Sequence, residues 1–179
     1  VNQAFGQLLQ FSDKRDEQIY KREDTVNYLD KVISEYISTA LATPNLNVNI
    51  SQALSSYYLM LVDIERISDY AVNMNHQATK RLQGDMTISE IEIVEHMKKL
   101  CVDMKNDLSD VEEAERKDDV IDSLVSSWRE AQIQALKQQK CSSEVSMMLS
   151  RIFTDFERIN DHALNVSQEF DKINIEIPE

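Results

Sequence analysis

Glu65 and Asp69 stand four residues apart, and so do Glu157 and Asp161, each pair set in nearly the same wording. The run from Asp63 to Asn73 (DIERISDYAVN) matches that from Asp155 to Asn165 (DFERINDHALN) at an offset of 92, with seven of eleven positions identical. Residues four apart share one face of a helix. Further upstream in each copy, Glu23 and Asn27 occupy the positions of Asp118 and Asp122, again four apart. Two such pairs on neighbouring helices would gather four carboxylates around one point, a hard oxygen set suited to Mg²⁺, Ca²⁺, Mn²⁺ or iron. Two other accounts compete. Each carboxylate could be answered by a base, although the adjacent Arg66 and Arg158 project about 100° away around a helix, so the base would come from a neighbouring helix. The pairs could also be plain solvated surface. Their repetition tells against that, since like charges at this spacing cost a few tenths of a kcal/mol with nothing to offset them.

Other chemistries lack their residues. Di-iron bundles of the ferritin type need Glu-x-x-His on two helices, but Asn73, Ile93 and Ile159 stand three before His76, His96 and His162. There is no HExxH, no Ser or Cys nucleophile beside a plausible base and no glycine-rich phosphate loop. His162 follows Asp161 directly, beside an apolar stripe, a placement commoner for a structural histidine than for a ligand. Cys101 and Cys141 are forty apart without CxxC spacing, which suggests neither a zinc site nor a disulfide framework and makes a reducing compartment the default.

The elements that must hold the carboxylates are helices. In 179 residues there are two glycines and two prolines, too few for the turns of a sheet-rich fold. Breaks are expected at Ala42–Asn47 around Pro44, at Gln83-Gly84-Asp85 and at Cys141-Ser142-Ser143. Long helices are therefore placed at about 51–82 and 143–173, while 1–41 and 89–140 each read as two helices, with turns near Lys21-Arg22 and Arg116-Lys117. Ser89 with Glu92 fits a capping box, and Ser142 or Ser143 a cap of the last helix. Val26, Leu29, Ile33, Tyr36 and Ala40 form an apolar stripe that superposes on Ile121, Leu124, Trp128, Ala131 and Ala135 at an offset of 95, and Val94 to Val111 continue the pattern. The spacing is that of helices packed in bundles. The expected fold is all-α, two tandem pseudo-symmetric three-helix bundles of six helices, over 1–83 and 86–175. The first helix is expected to be shorter than its repeat partner, which starts near Ser89.

Charge narrows the partners. The net of −13 divides into −3 over residues 1–85 and −10 over 86–179, a sign that repels nucleic acid and anionic lipid and attracts cations or basic partners. The longest apolar stretch, around Tyr57–Val62, is far below the roughly 18 residues of a membrane span, so direct bilayer insertion is not expected. The chain opens at Val1 without a signal-peptide pattern or an initiator Met, which suggests part of something longer.

The two copies of Glu-Arg-Ile-x-Asp-x-Ala, Glu65–Ala71 and Glu157–Ala163, resemble the signature of the PhoU family on the third helix of each of its two bundles, with Ser68 and Asn160 where the family usually has Gly. The resemblance spans nearly the whole chain. It implies surface metal clusters held by E/DxxxD pairs from the second and third helices, iron or zinc in known cases, with manganese a further candidate. Carried over by position, Asp118, Asp122, Glu157 and Asp161 make one complete set; Glu23, Asn27, Glu65 and Asp69 make the other, one charge short at Asn27. It also implies a non-catalytic regulator of phosphate transport and homeostasis. That regulator is either free-standing beside a phosphate ABC transporter or, as the short first helix and Val26-Asn27-Tyr28-Leu29 suggest, the cytoplasmic part of a sodium/phosphate cotransporter-like protein at the inner face of the membrane. The partner would then be a membrane phosphate transporter domain, on the same polypeptide or separate, and a homodimer is possible. The competing account is a metal-free helical adaptor whose acidic face docks a basic partner.

Overall fold

A computed structural model of the chain describes residues 1–80, 86–106 and 108–176. Six helices follow in order, α1 (Asn2–Leu9), α2 (Asp13–Leu41), α3 (Val48–Lys80), α4 (Ile88–Asn106), α5 (Val111–Lys137) and α6 (Ser143–Glu176). Among the described residues there is no strand. The helices form two bundles, α1–α3 and α4–α6, joined along α3 and α6, which pack on each other more extensively than any other pair. At 33 and 34 residues each of these is about 50 Å long, and each carries one copy of the repeated carboxylate pair.

The main core runs through both bundles. Phe5 and Leu8 of α1, Met74 of α3, Val94 and Met97 of α4 and Phe156 of α6 belong to one buried cluster. The Phe5 and Phe156 rings meet edge to face, centroids 6.1 Å apart, an arrangement favoured by the aromatic quadrupole. A smaller cluster of Ala53, Met60 and Ile173 lies toward the far end of α3 and α6.

Two of the expected turns move. The first break lies at 10–12 rather than at Lys21-Arg22, which α2 carries straight through. Side chains hold it there: Gln7 accepts from the Ser12 backbone N–H at 2.8 Å and donates to its carbonyl at 3.0 Å, while Arg15 donates to the Gly6 and Gln10 carbonyls, both at 2.7 Å. The second lies just before Val111 rather than at Arg116-Lys117, because Asp110 caps α5 by accepting from the Glu113 N–H at 3.1 Å. The capping box of α4 is displaced by two residues, Thr87 and Glu90 exchanging side-chain and backbone bonds. Pro44 does follow the end of α2, and Ser142 caps α6 through the Val145 N–H at 3.1 Å. α5 closes with Gln139 at φ 57 and bonds from Gln139 to Leu136 and from Lys140 to Ala135, a left-handed C-terminal turn made without glycine. The break expected at Gln83–Asp85 lies outside the described residues.

The stripes fare differently in the two halves. Val94, Met97, Met104 and Ile121 are buried as expected, but Leu29, Ile33 and Tyr36 of the α2 stripe are exposed, and α2 buries only Ile19 and Ile37. Within this sequence α1 comprises eight residues and α4 nineteen, and α1 packs beside the start of α2, where Arg15 bonds the Gly6 carbonyl.

Candidate functional site

Asp118 and Asp122 come from the third and fourth turns of α5, Glu157 and Asp161 from the middle of α6. Asp118 lies on the side of α5 that faces α6. There its carboxylate accepts a hydrogen bond from the amide of Asn160, a buried side chain in the place where the family signature carries glycine. Burial, then the charges of Asp122, Asp161 and Asp119, push the Asp118 carboxyl up to about 6. The like charges of the two helices are thus close enough to feel one another, and repulsion on this face is only partly relieved.

Bases relieve the rest. Arg129 of α5 reaches across to Glu157 at 2.5 Å, bonds Thr154 Oγ1 at 3.1 Å and lies over the Phe153 ring. Arg158 contacts Asp161 at 3.2 Å from within α6. A cross-helix base answers the repeated glutamate here, Arg129, which stands seven residues after Asp122 and so on the same side of α5.

The first bundle builds the counterpart from α2 and α3. Glu65 is raised by burial and then by Asp69, with Arg66 lowering it and Asp30 and Glu23 raising it further. Asn27 donates to Glu23 at 2.6 Å, so the residue that departs from the carboxylate pattern is turned toward its partner four before it. Arg66 lies 3.8 Å from Glu65 and 3.7 Å from Asp69. Asp30 is the unexpected member: seven residues after Glu23, on the same side of α2, it returns the charge that Asn27 lacks. Among the described residues no group of three or more His, Cys, Asp or Glu is gathered tightly enough to hold one metal ion. The eight residues singled out in the sequence therefore make two acidic faces, each partly neutralised by arginine.

Potential nucleophiles and bases elsewhere are quiet. Burial pushes the Cys101 thiol up to about 12 and raises that of Cys141 as well, so neither is a thiolate at neutral pH. His162 packs between the bundles, its Nδ1 2.7 Å from Asp63 Oδ1 and its ring stacked on Tyr70, the structural role its position suggested. No helix among the described residues is long and apolar enough to cross a membrane.

The PhoU domain family model matches residues 1–78 and 88–170. The phosphate-specific transport system accessory protein PhoU homolog 1 of Thermotoga maritima is 23% identical over 181 aligned positions, which take in 94% of this chain and 77% of that protein. The crystal structure of PhoU from Pseudomonas aeruginosa superposes with a TM-score of 0.83 over 98% of this chain and 88% of that one, at 19% identity, a likeness of fold.

Proposed function

The chain belongs to the PhoU domain family, and from that premise we propose that it is a non-catalytic regulator of phosphate transport whose acidic faces bind metal ions. Asp118, Asp122, Glu157 and Asp161 would hold an iron, zinc or manganese ion in the second bundle, and Glu23, Glu65 and Asp69, with Asp30 and the Asn27 carbonyl, would do so in the first. The donor type suits such ions: these are carboxylate oxygens on facing helices, where burial first and neighbouring acidic charge second raise Asp118 and Glu65, and a cation would remove that repulsion once the side chains turned to gather around it. Binding would require Glu157 and Asp161 to turn from Arg129 and Arg158. On this reading the module works on the cytoplasmic side of a membrane phosphate carrier, tethered to it or separate, and the ion ties α5 to α6 in a shape the carrier recognises.

The observation that supports the metal reading is that Asp118 lies among Asp122 of its own helix and Asp161 of α6, whose charges, after burial, raise its carboxyl. Protein purified without chelator should carry Fe, Zn or Mn by elemental analysis, and after stripping should melt several degrees higher on adding one of them. Asp161→Asn should abolish that rise while leaving helix content unchanged. No bound metal together with no thermal shift refutes the metal reading and favours the metal-free adaptor. The regulatory half is tested separately: a strain lacking the gene should lose phosphate-dependent control of ³²P-phosphate uptake and regain it with the wild-type chain.

A further inference from the structure

The seam between α3 and α6 carries one aspartate from each repeat, and the two are treated differently. Asp63 holds the His162 ring nitrogen at 2.7 Å and the Asn165 amide at 3.2 Å. At the offset of 92 the same three positions are Asp155, Tyr70 and Asn73. Tyr70 does not answer Asp155; its ring is stacked on His162, centroids 5.8 Å apart. Asn73 does not answer it either. Half-buried as it is, Asp155 makes no hydrogen bond and no ion pair among the described residues, so the polar group that the repeat supplies at Asp63 is missing here.

What adjoins Asp155 instead is space. An open cleft of about 350 Å³ lies between Asn73 and Gln77 of α3 and Ser150, Arg151, Thr154 and Asp155 of α6. All six side chains are polar. The repeat does not impose that character, since the positions of Ser150, Arg151 and Thr154 are Tyr58, Leu59 and Val62 in the first copy. Arg151 stands one helical turn before Asp155, and its charge reaches the carboxylate without an ion pair forming. Thr154 is engaged by Arg129, whereas the side chains of Asn73, Gln77 and Ser150 make no hydrogen bond among the described residues. The cleft thus presents an acceptor, a guanidinium and two amides, none of them committed to a partner within the fold.

A ligand that completes this place must bring N–H donors to the carboxylate and, one turn away, an anionic acceptor to the guanidinium. Asp155 and Arg151 cancel in charge, so the complement is a molecule with both signs. The net charge of −13 works against an occupant with net negative charge, such as a nucleotide or free phosphate, and not against one whose own charges balance. The volume lies at the lower end of the roughly 300–1,000 Å³ of ligand sites, which limits the occupant to a small molecule. We propose that the cleft binds a small zwitterion of the amino-acid type, its ammonium on Asp155 in the role that His162 and Asn165 fill at Asp63, its carboxylate on Arg151, and its polar remainder against Asn73 and Gln77.

The test uses the full chain stripped of metal, so that the acidic faces contribute nothing. Each of the twenty L-amino acids at about 10 mM is scored by thermal unfolding, with inorganic phosphate and GMP beside them. At least one amino acid should raise the melting temperature, and in ¹⁵N spectra it should shift the side-chain amide signals of Asn73 and Gln77. Its N-acetyl and its carboxamide forms, each lacking one charge, should bind at least tenfold more weakly. Asp155→Asn and Arg151→Gln should each weaken binding by a similar factor with unchanged circular dichroism, and Asn73→Trp, at an exposed position, should block the cleft while leaving both charged groups in place. A chain that no amino acid stabilises overturns the proposal. So does stabilisation that survives all three substitutions, which would put the ligand elsewhere, and so does a response to phosphate or GMP alone, which would make the cleft an anion site.

Discussion

Asp118 shows how one side chain can connect stability, pH and ligand. Its carboxyl lies near 6, above the usual 3.8, because it is partly buried and faces Asp122 and Asp161. A carboxyl raised on folding favours the protonated fold, so its contribution is fully present below about 3.8 and is lost as pH rises through about 6. In metal-stripped protein, acidification from pH 7.5 to 5 should therefore remove a penalty. Asp118→Asn should remove the same penalty without acidification, raising stability at pH 7.5 by about 1 kcal/mol once the full shift is discounted for screening by water, with the advantage fading toward pH 4. Urea melts of both proteins across this range check the difference curve; an equal offset at all pH values would show that the carboxylate is fully relieved by its neighbours. The same substitution should weaken any metal-induced stabilisation, so that the variant is firmer without metal and less responsive to it. Only part of this was legible in the sequence. The repeated ExxxD spacing marked the face, whereas Asp30 entered through its position on α2 opposite Glu65 and Asn160 through packing across α5 and α6, which a one-dimensional repeat does not carry.

At the scale of the element, the informative feature is the corner between α1 and α2. No glycine or proline stands at 10–12, and the turn is instead held by the buried Gln7 and by Arg15 bonding backbone groups on its far side. That is why the charged dipeptide Lys21-Arg22 looked like the break. Side-chain clamps leave no local composition signal, whereas Pro44 acts through its own ring and missing N–H and so marks its break in the sequence itself. Gln7→Ala deletes both bonds to Ser12 and leaves two backbone groups to find water, and should cost about 2 kcal/mol. The expected outcome is faster hydrogen exchange in α1 and the first turns of α2, with α5 and α6 slowed or hastened only through global unfolding. The exposed α2 stripe has a similar explanation. Periodicity identifies an apolar face, but whether such a face is buried depends on which other helices pack against it, and a one-dimensional pattern does not carry that.

For the whole molecule the question is whether two sequence repeats make two folding units. The repeats are separable in one dimension, yet the core is shared. Phe5 from the first repeat packs against Phe156 from the second within a cluster that also draws on α3 and α4, and along α3 and α6 Asp63 accepts from Asn165 at 3.2 Å while holding His162. A cut between the repeats would expose this seam on both sides. The chain should accordingly unfold in a single transition, with calorimetric and van't Hoff enthalpies equal. Phe5→Ala, at a fully buried site, removes a ring from the seam and should cost about 3–4 kcal/mol. If the core is one body, the loss lowers protection in α5 and α6 as much as in α2 and α3, and the melt stays single. If instead the repeats fold independently, the same substitution splits the melt in two and leaves the upper transition, that of α4–α6, where it was.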